Sequence, residues 1–310
     1  MNDLQNIPLV IILGPTAVGK SACAFDLAQR FGLEIINADS MQVYRGMDIG
    51  SAKPSPHERE LVPHHLIDIR DPDEEFSAAQ FRDEAHSIIV SLFQQGKQAL
   101  VAGGTGLYIR ALTRGLFPAP PADQGLREEL KEKEEREGKG YLHRELEKVD
   151  PEAALRIHPN DTFRTIRALE IFYLTGTAIS RQHQSHQFKE CHFHVLKIGL
   201  LRDREAIYHR IEERVDTMLT SGLLEEVNLL LKKGYAPTIK PFHSLGYKQI
   251  LGHLQGATTL EEAAQAIKRN TKRYAKRQLT WFRKDTEIEW FTLPRQSLEI
   301  SEAVRKFLNI

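Results

Sequence analysis

Gly14-Pro15-Thr16-Ala17-Val18-Gly19-Lys20-Ser21 has the spacing G-x-x-x-x-G-K-S, an arrangement suited to holding phosphate. Glycines let the backbone curl until successive N–H groups converge on one point at the positive start of a helix. Lys20 adds a mobile charge, and the Ser21 hydroxyl can ligate Mg²⁺. The apolar run Ile7–Leu13 precedes the loop and the helical pattern Ser21–Phe31 follows it, which is the strand–loop–helix setting this chemistry requires. A polyphosphate ligand is therefore expected. The motif does not choose among kinases, nucleotidases and other transferases, all of which use such a loop.

Asp39-Ser40-Met41-Gln42-Val43-Tyr44 follows a second apolar run, Leu33–Ala38. The carboxyl ends of parallel strands face the ligand crevice, so Asp39 can serve as a general base, hold a metal through water, or cap the turn that follows. Gln42 and Tyr44 offer planar groups suited to a nucleobase. Gly103-Gly104-Thr105-Gly106 closes a third strand pattern, Gln98–Ala102. There the glycines permit close backbone approach and Thr105 supplies a hydroxyl.

Eight basic residues and no acidic one fall within Lys268–Lys284. On a helix, Lys268, Lys272 and Lys276 form one stripe and Arg269, Arg273 and Arg277 a second, with Tyr274, Trp281 and Phe282 interleaved. Such a surface neutralises nucleic-acid phosphates and stacks on unpaired bases; a solvated helix face with core aromatics has the same pattern. His183, His186, Cys191, His192 and His194 cluster in sequence, but irregular spacing and a single thiol argue against zinc.

Elements must position these groups. Residues 1–115 alternate strands and helices in the βαβ manner, with a further strand expected at Leu66–Ile69 and a long helix from Ser77 to Gln95. Pro118–Pro121 breaks the pattern. A highly charged helix then follows at Leu126–Glu137, further helices start at Asp150-Pro151 and run over Thr162–Leu174, and no strand is expected until His194–Leu201. Arg204–Ser221, Leu223–Lys233 and Leu260–Arg283 read as helices, and Glu287–Thr292 as a late strand. The expected fold is α/β: a P-loop NTPase-like parallel sheet flanked by helices, with an inserted all-helical domain at 118–193 and the core at 1–117 and 194–310.

The chain's 310 residues carry 42 basic and 42 acidic side chains. Zero net charge argues at first sight against nucleic acid, yet residues 1–115 hold 10 basic and 14 acidic groups and residues 201–310 hold 19 and 14. The balance is a cancellation of unlike regions. Two cysteines, a polar N-terminus and no long apolar run predict a cytoplasmic protein without secretory leader or membrane span.

These motifs together resemble the tRNA dimethylallyltransferases. The resemblance extends through H-P-N-D at 158–161 with Arg164 and Arg167, R-V-D-x-M-L-x-x-G-L at 214–223, S-L-G-Y-K-Q at 244–249 and K-R-Q-L-T-W-F-R at 276–283. Val18 and Ser21 stand where many members have Ser and Thr, and both keep the loop chemistry. The resemblance implies transfer of the dimethylallyl group from dimethylallyl diphosphate to N6 of the adenine just 3′ of the anticodon. It implies that Gly14–Ser21 and Arg214 hold the diphosphate, with Mg²⁺ at Ser21, and that Asp39, Thr105 and Lys20 are catalytic. It assigns tRNA contacts to Asp39, Ser40, Met41, Gln42, Thr105, Arg127, Arg164, Arg167 and Lys248, and to Lys272, Arg273, Lys276, Arg277, Gln278, Trp281 and Arg283. The helical insertion would grip the anticodon stem-loop, and a monomer is expected. A small-molecule or nucleoside kinase explains residues 1–115 as well, but leaves the basic helix and the insertion without a role.

Overall fold

The computed structural model describes residues 7–186 and 193–310. Two compact units arise: the described residues of Met1–Thr113 with Cys191–Ile310, and those of Arg114–Glu190. In the first, six strands form one parallel sheet: β1 (Pro8–Leu13), β2 (Leu33–Asn37), β3 (His64–His65), β4 (Gln98–Gly103), β5 (His194–Leu201) and β6 (Ile288–Thr292), in the order β3-β2-β4-β1-β5-β6.

The apolar runs follow from burial on both faces. Side chains alternate along a strand, so Leu9, Ile11 and Leu13 enter one core with Phe81, Tyr108 and Phe282, while Val10 and Ile12 enter the other with Leu27, Ile300 and Val304. Helices α1 (Lys20–Phe31), α2 (Pro56–Leu61), α3 (Ala78–Gln94) and α4 (Gly106–Arg114) link the early strands. Ser77 caps α3 reciprocally with Gln80, and Gly32 ends α1 in the left-handed conformation.

The strand expected at Leu66–Ile69 is displaced. Pairing stops at His65, because Leu66 (φ 61°) and Asp68 (φ 57°) adopt left-handed backbone that an extended ladder does not accept. His65 is structural: its Nε2 meets the Glu34 carboxylate at 2.7 Å, and Lys97 donates to the same group at 2.7 Å.

The second unit holds α5 (Gln124–Glu137), α6 (Tyr141–Val149), α7 (Pro151–Arg156), α8 (Thr162–Thr175) and α9 (Ile179–His186) around Leu130, Leu142, Leu146, Ile166 and Leu169. Glu170 is fully buried within it. Burial pushes that carboxyl up, but hydrogen bonds from Arg127, Arg167 and the Asp123 N–H outweigh it and hold the group below the usual range. Arg127 reaches Glu170 through Nε (2.8 Å) and Nη2 (2.9 Å). Arg167 reaches it through Nη1 and donates Nη2 to Pro120 O at 3.0 Å. Both arginines, expected to face tRNA, are thus anchored inside this unit by two N–H groups each, and the other three donors of each guanidinium are not committed to Glu170 or Pro120. His183 packs edge-on against Phe117; Cys191 and His192 of the histidine cluster lie outside the described residues.

After β5 come α10 (Arg204–Thr220), α11 (Leu223–Lys232), α12 (Tyr247–Leu254), α13 (Leu260–Phe282) and, beyond β6, α14 (Ser297–Leu308). Thr259 and Glu262 close a capping box on α13. Its acidic first turn, Glu261 and Glu262, complements the helix dipole. Among the described residues no helix is long and apolar enough to cross a membrane.

Candidate active site

Parallel strands deliver their C-terminal ends to one edge of the sheet, so the segments after β1, β2 and β4 become neighbours. Gly14 (φ 148°) and Gly19 (φ 114°) bend the phosphate loop at its two ends, and a Cβ on Gly14 would stand 2.9 Å from the Leu200 carbonyl oxygen. Val18 turns its side chain wholly into the core, so it anchors the loop.

The loop is braced from outside. Arg210 Nε donates to Ala17 O at 2.8 Å, and Arg202 Nε to Val18 O at 3.2 Å. Gln278, on α13, accepts the Thr16 N–H at 2.8 Å and donates to Gly104 O at 2.9 Å. A Cβ on Gly104 would lie 2.4 Å from that amide, so glycine here is needed for close approach. Gln278, expected to contact tRNA, is buried at the cavity wall, and its amide ties the phosphate loop to the second glycine turn.

These segments enclose a cavity of about 510 Å³ whose lining includes Thr16, Lys20, Ser21, Asp39, Gln42 and Arg214. Asp39 caps its turn and still reaches the cavity. Its Oδ1 accepts the Met41 N–H at 2.8 Å, capping the turn, while the carboxylate still borders the cavity. Burial lowers the Lys20 ammonium to about 8; Asp39 opposes that shift and Arg214 reinforces it. Burial also lowers Arg214, again against the pull of Asp39, and burial with the Asp39 charge raises Tyr274 to about 12. One carboxylate therefore sits within electrostatic reach of two desolvated cations. Such a site favours an anionic ligand strongly, because burial strengthens charge–charge attraction.

Gln42 donates Nε2 to Ser51 O (3.1 Å) and Ala52 O (3.0 Å), fixing its amide oxygen relative to that loop. The loop itself is clamped from α11. Glu226 accepts the N–H groups of Asp48 (2.8 Å), Ile49 (2.7 Å) and Gly50 (3.1 Å) and the Tyr247 hydroxyl at 2.6 Å. Glu226→Ala leaves four donors unpaired, and since each buried one costs about 1–3 kcal/mol, a loss of roughly 3 kcal/mol is expected. Urea denaturation checks this, with Glu226→Gln expected to lose less.

Thr105, Ser40 and Met41 are half-buried next to these segments, and Thr105 Oγ1 accepts the Ser40 N–H at 3.1 Å. Trp281 rests its indole over Gly106, with Arg110 above the ring at 5.4 Å. Lys248, Arg273 and Arg277 are exposed. Lys272 pairs with Glu212, while Lys276 and Arg283 are exposed and border a separate groove. Arg164, in the second unit, is exposed 3.5 Å from Asp161.

The sequence matches the family model for IPP transferase over residues 42–285. The chain belongs to the IPP transferase family. A tRNA dimethylallyltransferase from Geobacter metallireducens is 51% identical over 309 residues, covering all of both chains. The full-length tRNA isopentenylpyrophosphate transferase structure from Bacillus halodurans is 42% identical with a TM-score of 0.72, covering 97% of each chain. A eukaryotic dimethylallyltransferase acting on tRNA gives a TM-score of 0.82 at 29% identity, covering 98% of this chain and 79% of that one.

In this IPP transferase the sequence reading passed over Arg210, Glu213 and Thr217, which line the cavity with Arg214. Their spacing along α10 places them on one helical face, and that periodicity was the available signal. Arg202 and Glu226 carried none, because each acts on backbone far away in sequence.

Proposed function

We propose that the chain transfers the dimethylallyl group of dimethylallyl diphosphate to N6 of the tRNA adenine just 3′ of the anticodon, acting as a monomer in the cytoplasm. The cysteine-poor composition and a tRNA substrate support that location. The observation that carries the reading is one cavity in which a phosphate loop with two buried cations faces a carboxylate.

The donor's diphosphate would lie on the loop amides, Lys20 and Arg214. N6 attacks C1 of the dimethylallyl group as the C1–O bond breaks; the electron pair leaves with diphosphate, and an N6 proton passes to Asp39. An exocyclic amine needs that acceptor to become an effective nucleophile, and the cations stabilise charge growing on the leaving oxygen. Ser21 Oγ makes no hydrogen bond among the described residues and borders the cavity, so it fits as a protein ligand for Mg²⁺ shared with the diphosphate. When bound, the ion would neutralise part of the leaving-group charge.

The target base must leave its stack to enter such a cavity. Gln42 would meet it there, with Ser40, Met41 and Thr105 holding the wall. The helical insertion, with Arg164 and the remaining donors of Arg127 and Arg167, and the exposed groups Lys248, Arg273, Arg277 and Trp281 would hold the surrounding RNA. Incubation of unmodified tRNA with enzyme, Mg²⁺ and dimethylallyl diphosphate should add one isoprenyl group per tRNA, read by mass spectrometry of nucleosides. Phosphoryl transfer from ATP to a nucleoside without prenylation would instead establish the kinase reading.

A further inference from the structure

On another face of α13 from Gln278, a second cavity of about 760 Å³ borders the phosphate loop at Pro15. Its rim carries Arg202, Arg204, Lys272, Lys276, Arg283 and Arg295. Lys272 pairs with Glu212. For the other five, no carboxylate lies within 4 Å among the described residues; Arg202 and Arg204 donate instead to Val18 O and the Tyr208 hydroxyl. The one acidic residue of the lining, Asp203, accepts the N–H groups of Glu205 (2.9 Å) and Ala206 (3.2 Å) as the cap of α10. Its Oδ1 is therefore committed to the helix start.

Cations gathered without counterions repel one another, so their grouping points to an anionic occupant. The spread of the charges sets its size. Lys272, Lys276, Leu279 and Arg283 follow one another at helical spacing on a single face of α13, a run of about 16 Å at 1.5 Å per residue. Arg202 and Arg204 close the groove from the start of α10, and Arg295 from the loop after β6. A single phosphate or diphosphate meets two or three of these groups, whereas a chain of phosphates meets them all. Ile207, Leu279 and Leu293 provide an apolar floor, and the Tyr208 ring carries Arg204 at 5.2 Å and Lys272 at 5.1 Å over its faces. A basic groove with apolar and aromatic platforms is how single-stranded nucleic acid is held.

We propose that this groove seats the sugar–phosphate backbone of the RNA substrate beside its target nucleotide, with Arg204 and Arg295 as phosphate contacts. The inference rests on the tRNA-transferase reading for its occupant. It also gives the two basic stripes of α13 separate duties: the Lys272–Lys276–Arg283 face works over the groove, and the Arg269–Arg273–Arg277 face does not.

The test is the double variant Arg204→Gln/Arg295→Gln, neither residue belonging to the diphosphate cradle. Affinity for an unmodified tRNA transcript is measured by fluorescence anisotropy from 50 to 300 mM KCl, without donor. Kd in 100 mM KCl should rise about tenfold, and the slope of log Kd against log salt should flatten by about 1.4, two single-strand phosphate contacts at about 0.7 each. The KM for dimethylallyl diphosphate should stay within about twofold. Arg204→Lys/Arg295→Lys should restore most of the slope, separating charge from any change in fold. An unchanged Kd and slope would overturn the proposal. So would a double variant that loses ADP binding in calorimetry while holding RNA normally, since the groove would then belong to a small nucleotide. Because binding is read without chemistry, a failure of prenyl transfer alone leaves these outcomes legible.

Discussion

Asp39→Asn is expected to lower turnover roughly a thousandfold, within the range for loss of a positioned general base, while leaving donor binding nearly intact at pH 6.5. The substitution keeps the shape of the side chain. Asn Oδ1 can still accept the Met41 N–H that Asp39 Oδ1 accepts at 2.8 Å, so the turn after β2 persists. What disappears is the acceptor for the N6 proton, and with it the group that lets a weakly nucleophilic amine attack. The pH of the binding measurement matters, because the Asp39 charge raises the pKa of Lys20 against burial. Without that carboxylate the ammonium loses its proton more readily, and at pH 8 a binding defect would be superimposed on the catalytic one. Single-turnover rates with saturating tRNA, set beside equilibrium binding of dimethylallyl diphosphate at pH 6.5, separate the two. Equal losses in both would remove Asp39 from the base role and leave it as a turn cap.

How far the sequence carries is clearest by residue. The phosphate loop, Asp39 and the glycine turn are local motifs attached to buried strands, and both strand and turn chemistry are written in consecutive residues. The same holds for the capped helices α3 and α13, whose Ser77–Gln80 and Thr259–Glu262 pairs sit three apart. The short helix α2 carried the same signature in Ser55-Pro56 and Glu58, which six residues of mostly polar side chains did not reinforce. Helix α6 was legible and passed over: Leu142, Leu146 and Val149 stand at i, i+4 and i+7 and enter one core. Gln278 illustrates the opposite limit. Its position within a basic, aromatic stripe suggested RNA, and nothing local indicates that its amide spans backbone groups 262 and 174 residues away. The anchoring of Arg127 and Arg167 was equally illegible, since their shared partner, the buried carboxylate of Glu170, is visible only once α5 and α8 pack together. Polar side chains that satisfy distant backbone or buried charge look like surface residues in one dimension.

Lys20 provides the other large expected effect, with a sign fixed by its surroundings. Lys20→Ala should raise the KM for dimethylallyl diphosphate roughly a hundredfold, the weight of a charge-assisted contact in a desolvated site. In the unmodified enzyme, burial holds the ammonium near 8, so the free enzyme carries the charge below that pH and loses it above. The ratio kcat/KM for the donor reports the free enzyme. It should be level on the acid side of pH 8, as far as Lys20 is concerned, and fall toward tenfold per unit on the alkaline side. Once diphosphate is bound its own charge favours the ammonium, so kcat should hold to higher pH than kcat/KM does. Lys20→Arg supplies the control, because guanidinium does not titrate in this range: its activity should be lower throughout, with the alkaline decline gone. In Asp39→Asn the break should move to lower pH, since the charge that supports the Lys20 proton has been removed. A wild-type profile level to pH 9.5 would mean that Lys20 keeps its proton in the free enzyme, and that burial of the loop lysine is offset by more than Asp39 alone.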